Sequence, residues 1–547
     1  MKSLEQIENA DDSKTFIIHI ADDLVFSDGS AIESKHYAAA IALFAHPTLI
    51  ALDSRSTEYE YFTGGTAYKN GETDVFAGLR LPDRHTLSLT VNAAYVPYFY
   101  DLAFLNVMPL SLDMWLGEGY DLVDDGDGVH FLGDMSVAAL SGKIEDARVR
   151  SEGRITAGPY VLTGYDREAG RATLEINRAY KGNFSGQKPH IQRIVIVGDD
   201  QSSVLEQLGS GTTGVVANLL QKNSINKANE LAAAGGIKVL QYPRNGYSKL
   251  LFKCDRGPTQ FTAVRQAIAH LLDRAAFADT ITGGYGSVVH GPYGLAMWMY
   301  QQSKAKLESL LDTYAHDPAV ARTLLAEDGW IYDALGNPYT EGIRHKKVDA
   351  AEAGQYEHNI TLPDGTVLMP LIIEWAAIAD NTISDLLVTM LVNNANTAAA
   401  GMAIHQTSMP FSDVISRMNE NSNGDPAIAG PSFGMFNLGT DFPPIYDMSF
   451  AFTGDPAKLA QGHNVNRLVD AELDRLSMDM VFGVRPNEAD RFLDLWIRYI
   501  DRWNELLPDL PLFSNSIQTA FSDKLKGYDE SSFFKFDQAI VYARLDG

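Results

Sequence analysis

Phe16, Ile18 and Ile20 alternate with Ile17 and His19, the period of two that predicts a strand. Ser34 precedes the apolar-rich run Tyr37 to Ile41, and its hydroxyl is the expected N-cap of a helix there. Val75 to Leu81, a Pro82-Asp83 turn and His85 to Val91 read as a hairpin. Ile191 to Val197 is a β-branched run, followed by a helical pattern over Ser203 to Leu208. Ile237 to Tyr242 and Tyr247 to Phe252 are expected to pair across a Pro243-Arg244-Asn245-Gly246 turn. Val264, Ile268, Leu271, Leu272 and Ala275 share one helical face, which Gly283-Gly284 would end. Phe492, Leu495, Trp496, Tyr499, Ile500 and Trp503 form a second stripe, read as core rather than as an aromatic binding surface. Strand-like and helix-like segments alternate from end to end, which predicts α/β lobes. Asn419 to Gly434, rich in Asn, Gly, Pro and Ser, reads as loop.

At 547 residues the chain is too long for one core, and two or three lobes are expected. Its 44 Lys and Arg against 70 Asp and Glu leave a formal charge of −26, which repels phosphate backbones and anionic lipid. Nucleic acid is therefore not an expected partner. The one cysteine, Cys254, excludes an internal disulfide and a cysteine-based zinc cluster, and beside a strand it reads as packing. No apolar run approaches the roughly 18–20 residues that span a bilayer. Met1 to Glu5 is followed by no secretory apolar segment, so either the protein is cytosolic or an export signal and membrane anchor were removed from it.

Three literal motifs fail on context. Gly209-Ser210-Gly211-Thr212-Thr213-Gly214 matches GxGxxG, but a helix precedes it and a strand follows, the reverse of what a pyrophosphate needs. Gly430-Pro431-Ser432-Phe433-Gly434 matches the hydrolase GxSxG, yet its flanks are loop before and strand after, and no base is nominated for Ser432. Asp124-Asp125-Gly126-Asp127-Gly128 lacks calcium-loop spacing and reads as an acidic turn. The 13 histidines include no HExxH and no other close ligating pair, so no metal, cofactor or catalytic residue is expected.

Five segments in order along the chain resemble the family 5 extracellular solute-binding proteins, the peptide- and nickel-binding subunits of ABC importers. They are Thr15-Phe16-Ile17-Ile18-His19-Ile20 through Phe26-Ser27-Asp28-Gly29-Ser30, then Thr156-Ala157-Gly158-Pro159-Tyr160 with Asn177 to Gly182. Val264-Arg265-Gln266-Ala267-Ile268 through Leu272-Asp273-Arg274, Leu324 to Trp330, and Leu510-Pro511-Leu512-Phe513 complete the set. Gly284 to Tyr293 is most similar to Gram-positive members. The family's extra strand and helix before the first match are expected to be absent from this chain, which would leave one wall of the cleft incomplete.

The resemblance implies a two-lobed periplasmic-binding-protein-like α/β fold of class II, large peptide-binding type. Lobe I would comprise residues 1–256 plus 510–547, with a subdomain over about 15–150, and lobe II residues 257–509. It implies no enzyme. A monomeric extracellular receptor, anchored through a removed N-terminal lipid, would bind peptide and deliver it to an ABC permease. By the same resemblance Asp441, in Asn437-Leu438-Gly439-Thr440-Asp441-Phe442-Pro443-Pro444, would hold the peptide ammonium. A carboxylate enclosed with a cation supplies a charge-assisted hydrogen bond, and the backbone of Asn437, Leu438 and Gly439 would pair with the peptide as an added strand. The family's usual aromatic at 438 is leucine here, which removes any stacking role there. Tyr285, Tyr293, Trp298 and Trp375 are the further candidates for side-chain pockets. Alternative readings are a receptor for a nickel complex or oligosaccharide, a hydrolase through Ser432, and a signalling or adhesion protein of the same fold.

Overall fold

The computed structural model describes residues 1–52, 58–150, 152–198, 201–419 and 432–546. Among them, strands Ser3–Glu8, Lys14–His19, Leu79–Asp83 and Thr86–Val91 make an antiparallel sheet in the order first, second, fourth, third. The helix Ser34–Ala45 buries its alanine- and leucine-rich face on this sheet. The reversal in the hairpin falls at Arg84-His85, and Pro82 and Asp83 lie in the strand. Ser34 is not the cap. The Glu33 N–H donates to His36 Nδ1 at 2.8 Å, and the Ser34 hydroxyl donates to the Asp83 carbonyl at 2.8 Å, tying the helix to the hairpin.

The sheet that organises the rest has eight strands among the described residues. Asp509–Ser522 is its long member, antiparallel to Val215–Leu219, Ile237–Pro243, Gly246–Phe252 and the short Gly286–Ser287. Gly246–Phe252 pairs in turn with Met435–Asp441, which joins the parallel strands Ile372–Ile378 and Ala403–Met409. The expected hairpin over 237–252 does not form. Both strands lie in succession along Asp509–Ser522, and the Arg244 N–H donates to the Asn515 carbonyl between them, at 3.0 Å. Pro243 to Gly246 therefore kinks one continuous partner instead of reversing it.

The helical face read over 264–275 is split. Thr262–Leu271 ends at Leu272, and Asp273 caps Arg274–Thr282 through the Ala276 N–H; left-handed Gly283 stops the second helix as expected. The stripe from Phe492 to Trp503 lies on Ala489–Leu506 and is core throughout. Arg265 joins these helices. Its guanidinium is fully buried and donates to the carbonyls of Thr259, Gln260, Leu506 and Leu507 and to the Thr262 hydroxyl. No carboxylate is among these acceptors. The negative end of the Ala489–Leu506 helix supplies the compensating field.

Candidate functional site

Met435–Asp441 is fully paired with Gly246–Phe252 on one side, but Ile372–Ile378 covers its other side only at Met435 and Phe436. From Leu438 onward that edge has no strand partner among the described residues. It borders a cavity of about 600 Å3, the size range of small-molecule sites. Leu438, Gly439 and Thr440 form one wall, Phe411, Ile415 and Met418 another, and Tyr61 reaches in from the N-terminal region. An apolar surround with an open strand edge suits an extended chain, because backbone groups can pair while side chains meet tolerant walls.

Two carboxylates line this cavity, and they differ. Asp509 is buried and already matched, by Lys249 Nζ at 2.7 Å and the Asn466 amide at 2.8 Å. Asp447 is half-buried. The Tyr98 hydroxyl donates to its Oδ2 at 2.8 Å and the Ser449 N–H to its Oδ1 at 2.9 Å. Among the described residues no Lys or Arg stands within ion-pair distance of it. Burial, reinforced by this anion, pushes the Tyr98 hydroxyl well above its ordinary pKa, so it stays a donor. Asp447 is thus a half-buried carboxylate with spare acceptor capacity, lining the cavity.

Asp441 sits at the rim. Its side chain is 67% exposed, and Arg244 clamps it, Nε to Oδ1 at 2.7 Å and Nη2 to Oδ2 at 3.2 Å. The same guanidinium lies over Gly439, where an added Cβ would meet Nη2 at 3.0 Å. Leu438 and Gly439 line the cavity, whereas Asn437 is buried beneath it. The Asn437 amide accepts from Trp375 Nε1 at 3.2 Å and donates to the Ser384 hydroxyl at 3.0 Å, which makes both Asn437 and Trp375 core.

The other aromatic candidates lie away from the cavity walls. Tyr293 is buried against Tyr300 and Trp496, Trp298 packs on Phe99 and Phe492, and Tyr285 meets Asn226 and Asn229. Each answers the same apolar demand in the core that a pocket would, which is why residue type alone did not separate them. Asp447 and Tyr61 carried no motif, and only the fold brings them to the cavity.

The rejected motifs keep their bland roles. Gly209 ends a helix and Val215 begins a strand. Gly430 and Pro431 lie outside the described residues; Ser432 donates its N–H to Glu357, and a strand, not a helix, starts at Met435. Asp124 accepts from Arg80 and the Leu81 N–H beside its turn. Burial pushes the Cys254 thiol up to about 11, so it is protonated and unreactive at neutral pH. His358, Glu374 and His405, distant in sequence, bring ligating atoms within 4.8 Å of one another.

No helix among the described residues is long and apolar enough to cross a membrane. The family model of bacterial extracellular solute-binding proteins, family 5 Middle, matches residues 3–365. A probable D,D-dipeptide-binding periplasmic protein of Escherichia coli is 23% identical over 244 residues, 44% of this chain and 39% of that protein. The alignment therefore spans well under half of that relative's length. Among solved structures, the oligopeptide-binding protein AppA of Bacillus subtilis with a nonapeptide gives a TM-score of 0.65 at 16% identity, covering 100% of this chain and 89% of that one. NikZ of Campylobacter jejuni with Ni(L-His) gives 0.63 at 15%, covering 98% and 89%. These likenesses establish a shared two-lobed fold, and that fold holds solutes of different chemistry.

Proposed function

The chain belongs to the bacterial extracellular solute-binding proteins of family 5, and from that premise we propose that it captures oligopeptides in the cavity beside Leu438 to Thr440 and delivers them to an ABC permease. The observation that carries the reading is the strand edge from Leu438 to Thr440, unpaired among the described residues, in the same cavity as the Asp447 carboxylate. An open strand edge recognises backbone without regard to sequence. An anion in a partly dry cavity recognises the one cation that every unblocked peptide carries, its α-ammonium. We assign the ammonium to Asp447 in preference to Asp441, because the charge of Asp441 is already matched by Arg244.

The lobes proposed are residues 1–256 with 510–547, carrying a subdomain over about 15–150, and 257–509. With these bounds the chain crosses between the lobes near residues 256 and 510, just beyond the paired ends of Gly246–Phe252 and Asp509–Ser522. The Gram-positive affinity, the lipid anchor and the monomeric state belong to the same proposal.

Calorimetric titration with short alanine peptides tests it, comparing free and N-acetylated forms of equal length. Saturable binding of the free form and at least tenfold weaker binding of the acetylated form are expected. Equal affinity for both would remove the ammonium from the mechanism, and no binding of either would remove peptides.

A further inference from the structure

Strands Ile372–Ile378 and Ala403–Met409 run parallel, and their register sets Glu374 directly beside His405. The loop after the helix Ala350–Ala353 brings His358 to the same place. His358 Nε2 lies 2.8 Å from Glu374 Oε1, and His405 Nδ1 lies 3.0 Å from the same oxygen. The two rings stand nearly perpendicular, 82° apart, with centroids separated by 6.0 Å. Three side chains from three separate segments thus bring one ligating atom each within 4.8 Å of the others.

We propose that His358, Glu374 and His405 form a binding site for a divalent transition-metal ion, Zn2+ first among them. Two imidazoles and one carboxylate are the donor set that zinc takes when one position stays open. Zinc–nitrogen and zinc–oxygen bonds of about 2.0–2.2 Å place tetrahedral ligand atoms roughly 3.3 Å apart. The imidazole nitrogens stand 2.8 and 3.0 Å from the shared oxygen and all three atoms lie within 4.8 Å of one another, so side-chain adjustment toward that spacing admits the ion. The Glu374 side chain is only 7% exposed, and among the described residues its ion-pair partners are these two imidazoles. A divalent ion would supply positive charge beside that buried carboxylate. His405 is 51% exposed, so the ion has a way in and its fourth position faces water.

The site is separate from the cavity. None of the three residues lines it. Glu374 lies beside Met435 and Gly434, while the cavity begins at Leu438, about 13 Å further along at the rise of an extended strand. Sequence spacing could not reveal it, because 16 and 31 residues separate the partners.

The test uses the full chain, stripped with EDTA and desalted, titrated with Zn2+ alone against a chromophoric competing chelator. One equivalent is expected to bind, raising the melting temperature. Co2+ in its place is expected to give the visible ligand-field absorption of a low-coordinate site at the same stoichiometry. His405→Ala and His358→Ala should each weaken binding by more than the roughly 10–100-fold that outer partners contribute. They should also abolish the melting shift. Because His405 is exposed, its variant should fold as the parent does, which keeps the test valid should the His358 variant not fold. Absence of saturable Zn2+ binding, or binding unchanged in His405→Ala, would overturn the site and leave a hydrogen-bonded His-Glu-His cluster.

Discussion

Replacing Asp447 by Asn alters charge while leaving shape. The Asn oxygen can keep the Ser449 N–H, and its amide can donate to Tyr98 once that hydroxyl turns to accept, so both present contacts survive in kind. Stability should therefore change little. Affinity should not survive. A charge pair at 4 Å in surroundings of effective dielectric about 20 is worth roughly 4 kcal/mol. Truncating one partner of an enclosed, hydrogen-bonded pair costs about 2–5 kcal/mol. We expect about 3 kcal/mol, on the order of 100-fold in Kd. Asp441→Asn is the counterpart. Exposed at the rim and held by Arg244, Asp441 should contribute less than about 1 kcal/mol. Calorimetry of both variants against the same free peptide reads the difference directly. The Asp447 variant should in addition lose its preference for free over N-acetylated peptide. A loss of two orders of magnitude in Asp441→Asn, with Asp447→Asn unchanged, would refute the reasoning and move the anchor to the rim.

Three further outcomes are expected. Arg265→Lys loses the planar fork that serves five acceptors and leaves several buried carbonyls bare, so it should destabilise by roughly 3 kcal/mol in chemical denaturation. An unchanged midpoint would contradict that role. Burial, with Arg274 nearby, brings the His290 pKa down to about 4, so the unfolded chain binds its proton more readily between pH 6.5 and 4. Stability from this group is present above pH 6.5 and falls as pH drops through that window; His290→Asn should flatten the slope there, and an unaltered slope would exclude His290 as its source. Gly439→Val would press against Arg244 and narrow the cavity, so peptide affinity should fall at least tenfold while the melting temperature holds. Equal affinity would show that the peptide does not pass over Gly439.

Periodicity carried much of the fold. The strand through Phe16 and Ile18, the helix carrying Phe492 to Trp503, and the stop at Gly283 depend on local patterns that tertiary packing reinforces. The mispaired segment 237–252 shows where local reading ends. Pro-Arg-Asn-Gly is turn chemistry, but a partner about 270 residues away, Asp509–Ser522, offers both strands a ladder and outcompetes the hairpin. The same holds at the candidate sites. Leu438 and Gly439 were reachable because they follow one another in a family segment. Asp447, Tyr61 and the set of His358, Glu374 and His405 have meaning only after separate segments meet. Trp375 and Tyr293 show the converse, since aromatic residues serve core and pocket alike.

The most direct test of the central claim is mass spectrometry of the small molecules released when the purified protein is denatured. The account expects a family of short peptides with free amino termini. A single non-peptide solute, such as a metal chelate or a sugar, would contradict it.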